Sequence, residues 1–397
     1  MIVEPKVRGF ICTTAHKEGC RENVKQQIEY VKSKPKMNSG KRVLIIGASA
    51  GYGLASRITA AFSGGAKTLG VIFDKPAFGK KTASAGWYNT AAFEEFARAD
   101  GLYAKTVNGD AFSEAVKEQV IEIIREDLGT VDTVIYSLAA PRRMMPDGEV
   151  VSSVLKTTGE PYTNKTIDLA SRTVVPVTIE PASPEEIVGT VKVMGGEDWK
   201  DWIYALSDSG VLAENAVTVA YSYIGPELTH PMYYNGSIGA AKKHLYETAK
   251  DMTEEMADIG LSAYVSMNKA LVTQASSAIP VVPLYTAILY RVMKEMNLHE
   301  GCIEQIYRLF AEKLYLDTPI TDGECLLRVD DWELREDVQK AVSEAWEKIT
   351  TDNLDSLSDV DGYWEDFYRM FGFGIESVDY AKDIETEVGI PSIIIEE

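Results

Sequence analysis

The alternation of short apolar runs with helix-like stretches is the feature that most constrains the fold of this chain. Stretches with apolar residues at helical spacing, such as EAVKEQVIEIIREDLG at 114–129, separate runs that are typical of buried strands. These runs are RVLIIG (42–47), TLGVIFD (68–74), YAKTVNG (103–109), DTVIYSLAA (132–140), AVTVAYSYIG (216–225) and LSAYVSMNK (261–269). We predict an α/β fold with a Rossmann-type, doubly wound parallel sheet, because short apolar strands between helices indicate a sheet buried on both faces.

Two regions depart from this alternation. Residues 142–200 are rich in Thr, Val, Pro and Glu and carry few helix signals, so we predict an insertion that contains a small hairpin. After residue 290 helix-like segments dominate, including CIEQIYRLFAEKLY at 302–315. We predict that residues 290–397 form a helical annex packed on the core, and that the whole chain, 1–397, is a single enlarged Rossmann-type domain.

Charge and composition exclude several classes of protein. The formal charge is −20 over 397 residues, and without a dense basic cluster we expect no binding to nucleic acid. Four cysteines in so long a chain do not make a disulfide framework, which favours a reducing compartment. The N-terminal segment lacks an apolar signal core, and the most lipid-like stretch, at 278–289, is too short to span a bilayer. We predict a cytoplasmic protein without a membrane anchor, either a monomer or a homodimer.

A glycine-rich break, GASAGYG, follows the first apolar run and precedes a helix-like stretch. Gly47, Gly51 and Gly53 occupy the context of a dinucleotide-binding turn, in which the backbone approaches a pyrophosphate at a helix N-terminus. We predict that these glycines, with Ser49 and Tyr52 between them, contact a nicotinamide dinucleotide. The alternative is a strand-to-helix turn that uses glycine for packing alone.

The second run ends in VIFDKP, which places Asp74 at the carboxyl end of a strand. A carboxylate there accepts hydrogen bonds from a ribose 2′-hydroxyl and repels a 2′-phosphate, so we predict NADH or NAD rather than the phosphorylated cofactor. Phe73 is predicted to contact the cofactor beside it. Asp74 alternatively starts a turn before the Lys-Pro pair.

The third and fourth runs also end in candidate cofactor residues. After the third run, Asp110 either contacts the adenine edge or caps the helix that begins near Ser113, and Ala111 is predicted to line the same place. After the fourth run, small residues allow a ribose and nicotinamide to lie close to the backbone. The cofactor contacts predicted there are Ser137, Leu138 and Ala139.

Residues 221–250 contain two pairs of one tyrosine and one lysine, each with eight residues between them: Tyr233 with Lys242, and Tyr234 with Lys243. A phenol and an ammonium near a nicotinamide form an acid pair, in which the lysine lowers the pKa of the phenol. Lys242 lies at the edge of the apolar stripe of the predicted helix, whereas Lys243 faces Glu247 at i,i+4. Lys242 is therefore the better candidate.

A continuous helix would place Tyr233 opposite Lys242, because nine residues at about 100° each make about two and a half turns. Tyr233 must then precede the helix, and the Asn-Gly-Ser break at 235–237 permits this, with Ser237 as the predicted N-cap. Tyrosines number 20 in this chain, so spacing alone leaves open that these tyrosines only pack.

Together these motifs resemble the trans-2-enoyl-CoA reductase family, which includes the V-type enoyl-acyl-carrier-protein reductases. The resemblance rests on the Tyr-to-Lys spacing and extends over nearly the whole chain. The segments that carry it are GASAGYG (47–53), VIFDKP (71–76), VMGGEDW (193–199), AYSYIGPE (220–227) and NKALVTQASSAIPVVPLY (268–285). The family belongs to the short-chain dehydrogenase superfamily and typically uses NADH. Asp74 departs from the glutamate of some members, which shortens its reach to the ribose.

The resemblance implies roles for individual residues. Tyr233 is similar to the catalytic tyrosine of the family, Lys242 to its lysine, and Tyr223 to its second active-site tyrosine. Thr273 resembles the threonine that bonds the nicotinamide carboxamide and diphosphate region, and Val272 is expected to contact the cofactor beside it. The implied reaction delivers hydride to Cβ of an enoyl thioester, and Tyr233, with Tyr223 as a second donor, stabilises the enolate.

We predict NADH-dependent reduction of trans-2-enoyl thioesters, carried by CoA or by acyl-carrier protein, in fatty acid synthesis or short-chain acyl-CoA formation. The negative charge of the chain favours CoA, because an acidic carrier protein would be repelled. A carbonyl-reducing short-chain dehydrogenase is one alternative, and a non-catalytic nucleotide-sensing protein is another. We predict no metal site, because Cys12, His16 and Cys20 lack a fourth nearby ligand.

Overall fold

The structure is a computed structural model that describes residues 1–9, 11–274, 276 and 279–395. Its strands are β1 (Val7–Arg8), β2 (Ile11–Cys12), β3 (Arg42–Ile46), β4 (Lys67–Ile72), β5 (Ala104–Asn108), β6 (Val131–Tyr136), β7 (Arg142–Met144), β8 (Val150–Ser152), β9 (Tyr162–Asp168), β10 (Thr173–Ile179), β11 (Leu212–Ser222), β12 (Ser262–Met267), β13 (Leu326–Arg328) and β14 (Ile394–Ile395). Its α-helices are α1 (Lys17–Ser33), α2 (Gly51–Phe62), α3 (Ala85–Ala99), α4 (Glu114–Ile123), α5 (Pro184–Met194), α6 (Glu197–Asp208), α7 (Ser237–Glu255), α8 (Val282–Glu295), α9 (Cys302–Leu309), α10 (Glu336–Lys348), α11 (Leu354–Leu357) and α12 (Val360–Met370). Among the described residues, no helix is both long and apolar enough to cross a membrane.

The described residues form a central sheet of eight parallel strands in the order β13-β12-β11-β6-β3-β4-β5-β14. All six predicted strands lie in it, which confirms the α/β, Rossmann-type prediction. Alternate residues of β3 pack in two separate cores. Val43 and Ile45 lie in the core that contains residues of α2, and Leu44 and Ile46 lie in the core that contains residues of α4. The sheet is therefore buried on both faces, as its apolar strands require.

The two edge strands, β13 and β14, were missed by the sequence analysis. They have three and two residues, too few to show a strand periodicity. Both come from the segment predicted as a helical annex at 290–397, and α8 begins before that segment does. Helices form most of that segment, which confirms the predicted C-terminal helices, and the two short strands are an addition that the sequence analysis did not predict. The division of the chain into core, insertion and annex stays a prediction.

The segment predicted as an insertion contains two antiparallel hairpins, β7-β8 and β9-β10. The predicted hairpin is therefore present, and α5, which the sequence analysis did not predict, also lies wholly inside 142–200. Ser183 caps this helix, since its Oγ accepts from the backbone of Glu186, and the carboxylate of Glu186 accepts from the backbone of Ser183. This capping box was readable from the sequence as Ser-Pro-Glu-Glu.

The end of the chain is fastened to the sheet by a buried carboxylate. Glu94 on α3 accepts hydrogen bonds from the backbone N–H of Ser392 at 3.0 Å and from its Oγ at 2.6 Å. Thr106 of β5 donates to the same carboxylate at 2.6 Å. The contact holds β14 against β5, since a buried carboxylate is costly unless donors satisfy it.

We expect Ser392→Ala to destabilise the protein by about 2 kcal/mol, because it removes the hydrogen bond from Oγ to the buried carboxylate of Glu94 and the acceptor of the Thr106 N–H. Chemical denaturation followed by circular dichroism measures this change. Ser356→Ala is the matched control, because its hydroxyl is exposed on α11 and donates to the backbone carbonyl of Asn353. Equal stabilities of the two variants would contradict a stabilising role for the contact between Ser392 and Glu94.

Candidate active site

The glycine-rich turn connects β3 to α2 at the carboxyl edge of the sheet. A Cβ on Gly47, whose φ is +85°, would lie 2.2 Å from the carbonyl oxygen of Ser137. A Cβ on Gly53 would lie 1.9 Å from the carbonyl oxygen of Gly47, so close packing requires glycine at both positions. Gly51 differs, because no described atom lies within 4 Å of its Cβ position at φ +53°. Gly51 therefore leaves room for a ligand to approach the backbone.

The N-terminus of α2 is open to an anion. Its N-cap residue, Ala50, makes no side-chain capping bond, so the first amides of the helix have no side-chain acceptor there. Ser49 lies in the turn and its carbonyl accepts from Asn89 at 3.1 Å. The hydroxyl of Tyr52 donates to the carbonyl of Lys269 at 3.0 Å, so any cofactor contact of Tyr52 comes from its ring or backbone. A free helix N-terminus behind a glycine turn suits a pyrophosphate.

Asp74 lies two residues beyond β4, in a loop that neighbouring residues hold in place. Its N–H donates to Oδ1 of Asn108 at 2.8 Å, and Nδ2 of Asn108 donates to its carbonyl at 3.1 Å. Ser84 donates to its Oδ1 at 2.7 Å. Phe73 beside it is 77% exposed. The loop thus presents a carboxylate of fixed position at the carboxyl edge of the sheet.

After β5, the helix cap is not Asp110. Ser113 caps α4 by accepting from Val116 at 3.2 Å, whereas Asp110 accepts from the backbone N–H of Phe112 at 3.0 Å. Ala111 is buried in the core, and its carbonyl accepts from Trp202. The interpretation of Asp110 as the cap of this helix is therefore wrong.

Residues after β6 lie beside the glycine-rich turn, because β6 and β3 are neighbours. The N–H of Ser137 donates to the carbonyl of Ile46 at 2.9 Å. A methyl carbon of Leu138 lies 3.3 Å from the Cβ position of Gly47, and Ala139 is exposed. Chain connections leave β3 and β6 in opposite directions at this point, which is where doubly wound sheets open a ligand crevice.

The segment after β12 closes the other side of the edge. Val272 is buried and its N–H donates to the hydroxyl of Tyr290 at 3.1 Å. Oγ1 of Thr273 accepts from the N–H of Ser276 at 3.1 Å. With the Tyr52 contact to Lys269, this segment is fastened to the glycine-rich turn.

A cleft of about 1210 Å³ brings the three predicted catalytic residues together, since Tyr223, Tyr233 and Lys242 all line it. Tyr223 directly follows β11, and Tyr233 lies in the turn before α7, as the helical phase required. The rings of the two tyrosines meet edge to face, with centroids 5.0 Å apart. Strand end, turn and helix therefore each contribute one group to the lining of the cleft.

The prediction that Ser237 is the N-cap of α7 is wrong, because Gly236 occupies that position. Ser237 is the first residue of the helix, and its Oγ donates to the carbonyl of Val154 at 2.6 Å and accepts from the N–H of Lys156 at 3.2 Å. Its side chain joins the insertion to α7 instead of capping the helix.

Burial sets the electrostatics of the tyrosine-lysine pair. Burial lowers the pKa of Lys242 from 10.5 to about 8, and burial raises the pKa of Tyr233. Within the described part of the chain, neither the Lys242 ammonium nor the Tyr233 hydroxyl has a hydrogen-bond or ion-pair partner. Both groups are therefore available to ligands in the cleft.

The alternative pair, Tyr234 and Lys243, lies at the protein surface. Tyr234 is 54% exposed, and Nζ of Lys243, whose side chain is 78% exposed, lies 3.9 Å from Glu247. Exposed ion pairs of this kind contribute little to the stability of the folded protein. The structure therefore favours Tyr233 and Lys242 over Tyr234 and Lys243.

Sequence reasoning missed one functional candidate, Glu333, which lies between β13 and α10. It is 0% exposed and accepts from the hydroxyl of Tyr223 at 3.1 Å and from the hydroxyl of Tyr285 at 2.6 Å. Its other oxygen accepts from the N–H of Ala270 at 2.7 Å. No local sequence pattern marks a residue whose partners are this far away along the chain.

Comparison with known proteins identifies two family models that cover most of the chain. The model described as the trans-2-enoyl-CoA reductase catalytic region matches residues 81–315. The model described as the NAD(P)H binding domain of trans-2-enoyl-CoA reductase matches residues 2–79.

A third model, described as the enoyl reductase FAD binding domain, matches residues 321–384. The strand-to-helix turn in this stretch, 329–335, contains no glycine and carries Asp330, Asp331 and Glu333. Without a glycine the backbone of this turn cannot approach a pyrophosphate as closely as the turn at 47–53, so it does not have the form of a dinucleotide-binding turn. Leu334 and Gln339 of the same stretch instead line the cleft that contains Tyr233.

Relatives and solved structures match from end to end. An enoyl-acyl-carrier-protein reductase (NADH) of Coxiella burnetii is 57% identical over 400 residues, covering 100% of this chain and 98% of the relative. A trans-2-enoyl-CoA reductase (NADH) of Ruminiclostridium cellulolyticum is 53% identical, covering 99% and 100%. The structure of Treponema denticola trans-2-enoyl-CoA reductase in complex with NAD superimposes with a TM-score of 0.93 at 49% identity, covering 98% of each chain. The chain therefore belongs to the trans-2-enoyl-CoA reductase family.

Proposed function

We propose that this protein reduces the 2,3 double bond of trans-2-enoyl thioesters with NADH. The observation that carries the proposal is the cleft in which Tyr223, Tyr233 and Lys242 lie together at the carboxyl edge of a Rossmann-type sheet. The family membership supports the same reaction, since the relatives are named as NADH-dependent enoyl reductases.

The cofactor site that we propose runs along the carboxyl edge of the sheet. The glycine-rich turn and the first amides of α2 receive the pyrophosphate, and Asp74 accepts from the adenine-side ribose. Residues after β6, from Ser137 to Ala139, and the segment with Val272 and Thr273 then lie on either side of the nicotinamide half. Solved relatives that hold NADH or NAD support this assignment.

The residues of the cleft supply the electrostatics of the reaction. Bound NADH delivers a hydride to Cβ of the thioester, which drives negative charge onto the thioester oxygen. The Tyr233 hydroxyl donates a hydrogen bond where that charge develops, and this stabilises the transition state more than the substrate. Lys242 binds the ribose hydroxyls and adds positive charge beside the reacting atoms.

The carrier that we propose is CoA. The net charge of −20 repels a strongly acidic carrier protein, and the lining of the cleft does not compensate for it. Its charged lining residues balance, with Glu227, Glu247, Asp322 and Glu324 opposing Lys242, Lys243, Lys250 and Arg328. We also propose that the protein acts in the cytoplasm, since all four cysteines are free, and as a monomer or homodimer.

The test of this function is NADH oxidation by the purified protein with crotonyl-CoA, and with crotonyl-acyl-carrier protein at the same concentration. We expect saturable turnover with a higher kcat/KM on crotonyl-CoA. A ketone substrate of similar size is the control for a carbonyl reductase. Turnover of the ketone alone, or NADH binding without turnover, would contradict the proposed reaction.

We expect Asp74→Ser to raise kcat/KM with NADPH about tenfold relative to NADH, which corresponds to about 1.4 kcal/mol, because the 2′-phosphate no longer meets a carboxylate. Steady-state kinetics with both cofactors measure the ratio. Asp110→Ser is the matched control and should leave the ratio unchanged. Equal use of both cofactors by the unaltered enzyme would remove the basis for this role of Asp74.

We expect Tyr233→Phe to lower kcat about 100-fold, a loss of about 2.7 kcal/mol, because one donor to the developing oxyanion disappears. Tyr234→Phe, one position along and exposed, should keep kcat within about twofold. Steady-state rates on crotonyl-CoA compare the two variants. The assignment fails if Tyr234→Phe is the damaging change.

We expect the affinity for NADH to fall as the pH rises through 8, since Lys242 loses its proton near its lowered pKa of about 8. At pH 9 only about a tenth of the lysine stays charged, so the Kd should rise about tenfold from its value at pH 7. Fluorescence titration of NADH measures the Kd. Lys242→Met should bind weakly at every pH, whereas Lys243→Met should follow the unaltered protein. A pH-independent Kd would contradict the role of the Lys242 charge.

A further inference from the structure

Glu333 joins the substrate side of the cleft to the cofactor side through one carboxyl group. On the substrate side its Oε1 accepts from Tyr223 and Tyr285, and on the cofactor side its Oε2 accepts from the backbone of Ala270. Three donors on two oxygens satisfy a fully buried carboxylate. The side chain therefore holds the residue after β11 and the segment after β12 at a fixed separation.

The contact determines what Tyr223 can do. A phenol has a single O–H, and Tyr223 donates it to Glu333 at 3.1 Å. That hydrogen is then not available to a thioester oxygen in the same geometry. The ring of Tyr223 instead packs edge to face on the ring of Tyr233, whose hydroxyl has no partner among the described residues. Tyr223 therefore orients Tyr233 through its ring.

The same carboxylate also restrains the cofactor segment. Ala270 precedes Val272 and Thr273, and it follows Lys269, whose carbonyl accepts from Tyr52 of the glycine-rich turn. A shift of Glu333 would therefore displace this segment from the glycine-rich turn and would also change its position relative to Tyr223. The rate of a reaction between aligned groups falls steeply when one of them is displaced, even by about 1 Å.

We propose that Glu333 is a positioning residue of the reductase, which holds Tyr223 against Tyr233 and fixes the 268–273 segment over the nicotinamide half of the cofactor site. The proposal rests on the proposed function. It assigns to the 321–384 segment a part in aligning the reacting groups, and it makes Tyr233 the donor to the developing enolate.

The test is a double-mutant cycle on kcat with crotonyl-CoA, using Glu333→Gln, Tyr223→Phe and the double variant. We expect each single variant to lower kcat at least about tenfold with KM for both substrates within about threefold, and the double variant to be no worse than the poorer single one. Tyr285→Phe is the matched control, because it removes the other phenol from the same oxygen and leaves the Tyr223 bond. Its kcat should stay within about threefold.

Glu333→Asp covers the case in which Glu333→Gln does not fold. It keeps the charge but shortens the side chain by one methylene group, so we expect the same loss of kcat. Multiplicative losses in the double variant, or an unaltered kcat in Glu333→Asp, would overturn the proposal.

Thermal unfolding of the same three variants tests the contact between Tyr223 and Glu333 without depending on turnover. We expect the losses in Tm to be non-additive. Additive losses would overturn the proposal even if the protein did not reduce crotonyl-CoA. An inactive but well-folded unaltered protein would contradict the proposed function alone.

Discussion

The close approach of Gly47 to Ser137 is the contact on which the rest of the structure depends. It lets β3 and β6 lie side by side up to their ends, while the chain leaves them in opposite directions. Any side chain at Gly47 would push these two strand ends apart. The α2 N-terminus, the Asp74 loop and the residues after β6 all take their places from that junction. The cofactor edge of the sheet is therefore a consequence of one backbone contact.

Buried carboxylates act as ties between distant parts of the chain. Glu94 fastens the C-terminal strand to β5, and Glu333 joins the ends of β11 and β12. Asp198 of α6 accepts from Lys117 at 3.0 Å and from the hydroxyl of Tyr136 at 2.9 Å, which joins α4 and β6. Hydrophobic contact is not directional, whereas each of these carboxylates requires particular donors. These hydrogen bonds therefore favour one arrangement of helices and strands. Apolar packing alone would define that arrangement less precisely.

Local sequence patterns predicted the core of the fold and much of the site. The remaining features depend on very short strands or on contacts between residues far apart in the sequence, which local patterns do not show. The six inner strands of the central sheet lie in runs that are typical of buried strands, and the spacing of Tyr233 and Lys242 is readable within one helix and its preceding turn. β13 and β14 are too short for any periodic signal. Glu333 lies 110 positions from Tyr223, so only folding reveals their contact. Ser237 was misassigned because its partners, Val154 and Lys156, lie in a distant insertion that the local pattern of α7 does not show.

Both edges of the sheet are supplied by the last quarter of the chain, since β13 pairs with β12 and β14 pairs with β5. During synthesis on the ribosome, β5 and β12 are therefore complete while their outer N–H and C=O groups are still unpaired. Unpaired strand edges are templates for pairing with other chains, so the nascent protein has two edges open to misassembly until the last quarter of the chain is made. Because Glu333 is made directly after β13, the aligned cleft and the β12 edge of the sheet are completed before β14 closes the β5 edge.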